Sequence, residues 1–449
     1  MSGYGGSLPS YESAIGTRIT AAVQGGNMVL VDVWEEHLDE ASFHWEQWER
    51  ALVAPDFTLT ETAEREERLL AHLEGLGDAA ALSLVLRPAF DSEELSRQSA
   101  ATYALLSLGG LDESLARFLG ASTEARAGIR RALELSEAPG LGAQLREVLK
   151  KNDLDAQAHV LEALVFRQEV PREILARFFT HDEPRARMTA LRAAMPLPGD
   201  AVSRLLPALL DSAHPGIRAA AMEAGLASGV RLAWDACRKA VQRREPGMPE
   251  ALTLLAIGGA DADTALLVEL LQSPDLRPDV LWALGFSGRV RAVEGCLEYL
   301  AEPSVARLAG EAFSSMTGLR LEGTYALPPR SHPEPSDDPD ASLEPKPEDD
   351  LPWPHVAAIT AWWSEARKRF DKGARYLLGQ PFSGAVLVDA LESSPMRRRH
   401  VLARELAIRT RGKHVIPTRA FSRRQRVALV NARTDCAHMR DVPLIHTLR

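Results

Sequence analysis

Two segments, His181–Ala194 (HDEPRARMTALRAA) and Ser212–Ala227 (SAHPGIRAAAMEAGLA), repeat one pattern 31 residues apart. In each, a polar turn precedes a proline, and Ala, Leu and Arg are frequent in the residues that follow. Proline suits the first turn of a helix because the N–H that it lacks has no partner there. Each segment therefore predicts a helix that begins near its proline.

The same pattern continues along the chain. Prolines recur at spacings of 31, 31, 28 and 29 residues, at Pro184, Pro215, Pro246, Pro274 and Pro303. Nine residues after four of these prolines stands an alanine, at Ala193, Ala224, Ala283 and Ala312, and the remaining position holds Leu255. A small residue at a fixed helical position lets a neighbouring helix approach closely. We therefore expect Ala224 and Ala283 at buried contacts between helices.

A second apolar stretch completes each unit, as in residues 202–210 (VSRLLPALL) and 262–271 (ADTALLVELL). A two-helix unit of about 30 residues cannot bury its apolar face alone, so such units stack. Steps of 31 residues back from Pro184 reach Asp153, Ser122 and Asp91, and seven units fit residues 91–322. The predicted fold is therefore all-α, an α-solenoid whose units resemble short bacterial HEAT repeats.

Four further segments flank this repeat. Residues 1–28 predict a flexible arm, and residues 29–90 predict a helical N-terminal cap. Residues 323–354 predict a disordered or extended linker, since residues 333–350 hold five prolines and eight acidic residues. Residues 355–449 predict a small, basic, mostly helical domain.

Several features are expected in this C-terminal domain. Its apolar faces are too few for an independent core, so we expect it to pack on the repeats through Trp362 or Trp363. The stretch RYLLGQP is expected to end a helix at Gly379–Pro381, and Ser422 is expected to cap the last helix. The expected exposed basic patch comprises Arg397, Arg398, Arg399, Arg423, Arg424 and Arg426.

Composition and charge exclude several classes of protein. Aromatic residues make up only 6% of the chain, which favours helix packing over β-sandwiches. Three isolated cysteines, Cys237, Cys296 and Cys436, exclude a disulfide framework. No run approaches the ~18 apolar residues of a membrane helix, and the first sixteen residues do not resemble a secretory signal. We therefore expect a cytoplasmic protein without a membrane partner.

The net charge of −10 is unevenly distributed. Residues 396–449 carry about +11 and the rest of the chain about −21. Nucleic acid is not an expected partner, because the basic segment lacks interleaved aromatic residues that would stack on bases. The alternatives are an acidic protein partner or neutralisation by the acidic linker.

Catalytic motifs are not found. The chain has no phosphate-binding loop of the GxxxxGK type, no strand followed by GxGxxG and no GxSxG elbow. Asp261 and Asp263 stand at a helix start and are interpreted as capping groups. No enzyme activity, catalytic residue or cofactor is therefore expected.

Two groups of residues are candidates for binding. Arg187, Arg218 and Arg277 each follow a repeat proline by three residues, and with Arg423, Arg424 and Arg426 they are the candidates for binding a protein. The alternative for the repeat arginines is that they pair within the stack.

The candidates for holding a metal are His37, Glu40 and His44, which share one helix face at i, i+3 and i+7. A metal needs further convergent ligands, for which Glu64, Glu66, Glu67 and His72 are loose candidates. Packing of the cap is the favoured interpretation, and no metal is expected.

The two ends of the chain resemble an uncharacterised bacterial family of HEAT-repeat proteins. The segments that carry this resemblance are HLDEASFHW (His37–Trp45), APDFTL (Ala54–Leu59), HLEGL (His72–Leu76), RYLLGQP (Arg375–Pro381), RTRGKH (Arg409–His414) and RAFSRRQR (Arg419–Arg426). Members of that family are often encoded near type VI secretion clusters and effector genes. The resemblance implies a partner that is a secretion effector or a component of the secretion apparatus.

These observations predict a non-catalytic scaffold or adaptor that binds proteins, in the context of effector handling. One alternative is an immunity protein against a neighbouring effector. Another is an enzyme, either a lyase-like HEAT protein or a metal-dependent enzyme that uses His37, Glu40 and His44.

Limited proteolysis tests the predicted linker. Cleavage within residues 331–350 should come first, because exposed, polar, Pro-rich backbone is where nicking concentrates. Mass spectrometry should then find a C-terminal fragment of about 100 residues. First cleavage elsewhere, with residues 331–350 intact, would contradict the prediction.

Overall fold

The computed structural model describes residues 31–151, 153–328 and 347–449. Apart from two strands of two residues each, the regular structure of these ranges is helical. The all-α prediction is therefore confirmed. The predicted arm, residues 1–28, and residues 329–346 of the predicted linker lie outside the described residues.

The chain forms two compact units. Of the described residues, 31–46 and 67–139 form the first unit, and 47–66 with those from 140 onwards form the second. The predicted C-terminal domain is therefore not a compact unit of its own. It belongs to one unit with residues 140–328, for the packing reasons given below.

The helices before residue 139 are mostly of ordinary length. They are α1 (Val31–Ala51), α2 (Leu59–Gly75), α3 (Ala79–Ala81), α4 (Arg87–Ala89), α5 (Leu95–Ser107), α6 (Leu111–Gly120) and α7 (Thr123–Leu135), with a π-helical turn, Leu82–Leu86, between α3 and α4. Ser122 caps α7, as its place in the repeat predicts, because its side chain accepts a hydrogen bond from the backbone N–H of Ala125.

The second unit continues with short helices in pairs. They are α8 (Leu141–Val148), α9 (Leu154–Arg167), α10 (Arg172–Arg177), α11 (Pro184–Ala193), α12 (Gly199–Arg204), α13 (Leu206–Leu210), α14 (Pro215–Ala227), α15 (Arg231–Arg243), α16 (Met248–Gly258), α17 (Asp261–Leu270), α18 (Arg277–Leu284), α19 (Val290–Leu297) and α20 (Ala306–Thr317). Pro184 and Pro215 are the first residues of their helices, as predicted. The later repeat prolines lie in turns two or three residues before α16, α18 and α20.

Alternate helices of this unit pack on one another. Helix α11 contacts α14, α14 contacts α16, α16 contacts α18, and α18 contacts α20. Ala224 and Ala283 are fully buried in this row, so their predicted burial is confirmed. Ala193 is only half-buried, because the neighbouring Ala190 takes the fully buried place in α11.

The C-terminal residues add helices and one hairpin. These elements are α21 (Val356–Ala366), β1 (Tyr376–Leu377), β2 (Gln380–Pro381), α22 (Gly384–Ser393), α23 (Met396–Arg409) and α24 (Ser422–Cys436), with 3-10 turns at Gly323–Tyr325, Pro347–Asp350, Arg367–Arg369 and Leu444–His446. The ring of Phe313 in α20 lies 6.0 Å from that of Trp362 and 5.7 Å from that of Trp363. The predicted packing through these tryptophans is therefore confirmed.

The segment RYLLGQP forms the hairpin, and the prediction that it ends a helix is wrong. Leu378 and Gly379 both adopt positive φ angles, 50° and 75°, which makes the two-residue turn between β1 and β2. Their backbone N–H groups donate to the carbonyls of Ser315 and Met316 near the end of α20. These contacts stabilise a backbone conformation that leucine seldom adopts.

The flanks of the predicted linker are ordered and paired. The N–H of Leu327 donates to the carbonyl of Trp353 at 2.8 Å, and the N–H of His355 donates to the carbonyl of Tyr325 at 2.9 Å. Arg307 of α20 pairs with Asp349 at 2.8 Å. The predicted linker range of 323–354 is therefore too wide at both ends, because these flanks bind each other and α20.

Membrane-spanning helices were sought in the described ranges. No single helix there is both long and apolar enough to cross a membrane, and only the bent pair of α2 with residues 79–89 passes by length and composition together.

Substitution of Ala224 by glutamate tests the packing of alternate helices. Ala224→Glu would bury an unpaired carboxylate and should cost several kcal/mol of unfolding free energy. Thermal unfolding followed by circular dichroism should show a clearly lower Tm than for Ala176→Glu, which places the same charge on an exposed alanine of α10. Equal Tm values for the two variants would contradict the observed packing.

Candidate functional site

Helix α23 lies across the first helices of successive helix pairs in the second unit. It contacts α14 and α16 directly. Further along the row, the guanidinium of Arg398 lies 5.2 Å from the ring centre of Trp282 in α18 and 3.5 Å from the carboxylate of Glu311 in α20. Helix α23 therefore covers this row of helices.

A buried carboxylate joins the hairpin region to α23. Glu405, only 1% exposed, accepts hydrogen bonds from Arg375, at 2.9 Å for its Nη2, and from Nε of Arg409 at 2.6 Å. Arg375 also donates to the carbonyls of Ser287 at 3.1 Å and Phe286 at 2.8 Å. Removal of these charges from water is costly, and a buried ion pair offsets that cost only when its remaining polar groups are also hydrogen-bonded.

Arg409, the other partner of Glu405, also binds the row of helices. Arg409 donates through Nη2 to the carbonyl of Ile257 in α16 at 2.9 Å. Burial raises the pKa of Glu405, but Arg375 and Arg409 outweigh it and leave that pKa below the ordinary value. Glu405 is therefore ionised at neutral pH.

The arginines at the start of α23 also serve this packing. Arg399 is fully buried and donates to the side-chain oxygen of Gln425 at 2.6 Å, while Arg398 is only 4% exposed and lies 4.0 Å from the ring centre of Phe286. Arg397 pairs with Glu311 at 3.3 Å. The prediction that these three arginines form part of an exposed patch is wrong, because Glu311, Phe286 and Gln425, which are distant in sequence, pack against them.

The repeat arginines are likewise used inside the unit. Arg187, Arg218 and Arg277 each donate through Nε to the backbone carbonyl six residues earlier, at 2.9 to 3.1 Å. Arg218 also pairs with Glu245 at 2.7 Å, and Arg277 pairs with Glu302. Arg218 and Arg277 thus pair with acidic residues of the same unit, as the alternative expects, while Arg187 binds a backbone carbonyl; partner binding by all three stays a prediction.

One face of α24 is anchored to the second unit. The backbone N–H and the Oγ hydroxyl of Ser422 donate to the carboxylate of Glu66 at 2.7 and 2.9 Å. The helix begins at Ser422 and Phe421 stands at the cap position, so the prediction that Ser422 caps the helix is wrong. Arg424 donates to the carbonyl of Phe166 at 3.0 Å. Of the predicted patch, Arg424 is therefore half-buried and serves this anchoring.

The opposite face of α24 is exposed and mixes cationic and apolar groups. Arg423 and Arg426 are exposed, and one turn after each along the helix lie Val427, 58% exposed, and Val430, 65% exposed. We call these four residues the α24 face. In the sequence, both valines lie off the helical stripe of Leu429, Ala432 and Cys436. That position could have predicted an exposed apolar face, which the sequence analysis did not predict.

An open groove of about 580 Å³ borders the α24 face. Ala428 and Asn431 of α24 line it, and Val427 lies one turn before Asn431 on the helix. Its cationic lining residues, Arg172, Arg192, Arg404 and Lys413, outnumber the acidic one, Glu223. Arg192 and Arg404 lie 3.7 and 3.4 Å from Glu223.

The cysteines are unsuited to nucleophilic chemistry. Burial raises the pKa of Cys296 to about 12, and it raises the pKa of Cys237 and Cys436 as well. A thiol attacks as its thiolate, so these side chains are inert near neutral pH. Asp263 accepts a hydrogen bond from the N–H of Ala260, which confirms the predicted capping role.

The first unit gathers the predicted metal candidates with one more histidine. Nε2 of His44 lies 3.7 Å from Glu40, and Nδ1 of His37 lies 3.3 Å from Nδ1 of His72 in α2. The potential ligand atoms of Glu40, His44 and His72 all lie within 4.8 Å of one another. Of the loose candidates on α2, His72 is thus brought to the cluster.

Comparisons with known proteins give little beyond this geometry. No protein-family model and no curated protein matches the chain. Similar solved structures include an engineered protein, 16% identical with a TM-score of 0.28, over 81% of this chain and 98% of that one. Human deoxyhypusine hydroxylase in complex with glycerol is 20% identical with a TM-score of 0.23, over 61% of this chain and 94% of its own. Likenesses this distant support no inference about fold or function.

Glu405→Gln tests the buried network. The variant would leave Arg375 and Arg409 buried without their shared counter-charge and should cost about 3–5 kcal/mol. Because the folded pKa of Glu405 lies below its unfolded value, its contribution is present above the unfolded pKa and is lost as pH falls through the folded pKa. Denaturant unfolding should show this difference at pH 7 and a smaller one in acid.

The control for this measurement is Glu365→Gln, which makes the same change at an exposed position of α21. It should leave the unfolding free energy nearly unchanged at both pH values. A Glu405→Gln variant as stable as this control would contradict the expected contribution of the network to the unfolding free energy.

Proposed function

We propose that this chain is a non-catalytic protein-binding scaffold. Its framework is an α-solenoid of HEAT-like helix pairs, and its binding surface is the α24 face with the adjoining groove. The partner that fits this surface is a protein segment that is both acidic and partly apolar. The observation that carries the proposal is the exposure of Val427 and Val430 beside a groove whose charged lining residues are mainly cationic.

The packing of alternate helices supports the solenoid part of the proposal. The row α11, α14, α16, α18 and α20 is the arrangement that stacked two-helix units produce. Stacked units offer an extended surface, but α23 already covers this row. A partner of the scaffold must therefore bind elsewhere on the second unit.

The α24 face has the properties of such a surface. Its valines expose apolar area on a helix that is firmly anchored by its other side, so binding requires little ordering of the site. Arg423 and Arg426 lie one helical turn before the valines and would attract an acidic partner. The groove extends the apolar area through Val415, which is 48% exposed.

The biological context rests on the family resemblance alone. A secretion effector or a component of the secretion apparatus is the partner that the resemblance implies, and an immunity role is the alternative within that context. Both stay predictions until the partner is identified.

Charge reversal on α24 tests the proposed surface. Arg423→Glu with Arg426→Glu should reduce recovery of a partner by roughly tenfold or more in quantitative affinity purification, because like charges would then face an acidic segment. Recovery by the wild-type chain should also fall as salt concentration rises.

Two further variants make this test specific. Arg243→Glu with Arg320→Glu changes the net charge equally at exposed positions outside α24 and the groove and should retain the partner. Val427→Ser with Val430→Ser keeps the charge and should weaken recovery through lost apolar contact. Equal recovery by all variants would remove the α24 face from the function.

A further inference from the structure

The first unit contains a cluster of three histidines and one glutamate on two helices. His37, Glu40 and His44 follow one another at i, i+3 and i+7 along α1, which puts their side chains on one helix face. His72 comes from α2, 35 residues after His37. From this cluster we propose that the chain binds one divalent transition-metal ion of the zinc class, independently of the scaffold function.

The distances suit a tetrahedral ion. Metal–nitrogen bonds of about 2.0–2.1 Å place two ligand atoms of a tetrahedron about 3.4 Å apart. Nδ1 of His37 and Nδ1 of His72 are separated by 3.3 Å, and Nε2 of His44 and Oε2 of Glu40 by 3.7 Å. The potential ligand atoms of Glu40, His44 and His72 lie within 4.8 Å of one another, and His37 joins this group through its contact with His72. Metal binding therefore requires these side chains to close by roughly 1 Å or more around the ion.

The backbone of α2 is shaped to admit the ring of His37. A Cβ on Gly75 would lie 2.8 Å from the ring atoms Cε1 and Nε2 of His37, closer than side chains approach one another. Glycine at this position therefore allows the imidazole to lie against α2. The same approach brings Nδ1 of His37 to Nδ1 of His72.

The chemistry of the ligands selects the class of ion. Three imidazoles and one carboxylate are ligands that Zn²⁺ and neighbouring divalent transition metals prefer, whereas Ca²⁺ and Mg²⁺ prefer oxygen ligands. Glu40, His44 and His72, with His37 turned in from its place beside His72, would fill a tetrahedral shell. The site is therefore of the closed, structural type, and the ion would link α1 to α2 within the first unit.

Metal titration of the full-length chain tests the proposal. The purified protein is stripped with a chelator and titrated with Zn²⁺ against a competing indicator dye, and with Co²⁺, whose visible absorption reports tetrahedral coordination. The wild-type chain should take up one equivalent of Zn²⁺ and show the tetrahedral Co²⁺ spectrum. The variants His44→Ala and His72→Ala should each lose roughly 100-fold or more in affinity, since even loss of an outer-shell partner costs 10–100-fold.

Matched controls separate loss of a ligand from loss of the fold. His438→Ala removes an exposed histidine elsewhere and should bind like the wild type. Circular dichroism of each variant without metal should match that of the metal-free wild type. Gly75→Ala should weaken binding while all four ligands remain, because it displaces the ring of His37.

Two results would overturn the proposal. One is a wild-type chain that shows no saturable uptake near one equivalent, which would leave the cluster as a hydrogen-bonded group alone. The other is full uptake by a folded His72→Ala variant, which would place the ion elsewhere.

Discussion

The C-terminal third of the second unit depends on one buried carboxylate. Glu405 lies between Arg375 and Arg409, and each arginine uses its remaining N–H groups on backbone carbonyls that belong to the helix pairs. Desolvation of these charges is costly, and only the complete set of hydrogen bonds offsets it. The arrangement therefore favours one placement of α23 on α14 and α16 over alternatives that leave a charge unpaired.

This placement determines which surfaces remain for a partner. Because α23 covers the row of first helices, the surface that a helical stack would otherwise offer is occupied by the chain itself. The next helix, α24, is held on one side by Glu66 and by the bond from Arg399 to its Gln425, and it exposes Val427 and Val430. In the proposed function, the buried network would act indirectly, by presenting α24 on a rigid support.

The sequence predicted those features that depend on local pattern. Pro184 and Pro215 begin helices, and Ala224 is buried, because helix start signals and helical periodicity act over a few residues. The fate of Arg399 was not predictable in this way, because Gln425 and the carbonyl of Leu391 enclose it. His72 reached the histidine cluster through the pairing of α1 with α2, and Leu378 adopts a positive φ through contacts with α20. Such outcomes depend on tertiary contacts that periodicity does not encode.

Hydrogen–deuterium exchange of the full chain, resolved by mass spectrometry, tests most directly whether α23 is an integral part of the second unit. Exchange through global unfolding is the slowest class, and segments that dock weakly exchange faster through local opening. We expect amides of α23 to exchange as slowly as those of α14 and α16. Amides of α23 that exchange much faster than those of α14, in an otherwise protected unit, would contradict this expectation.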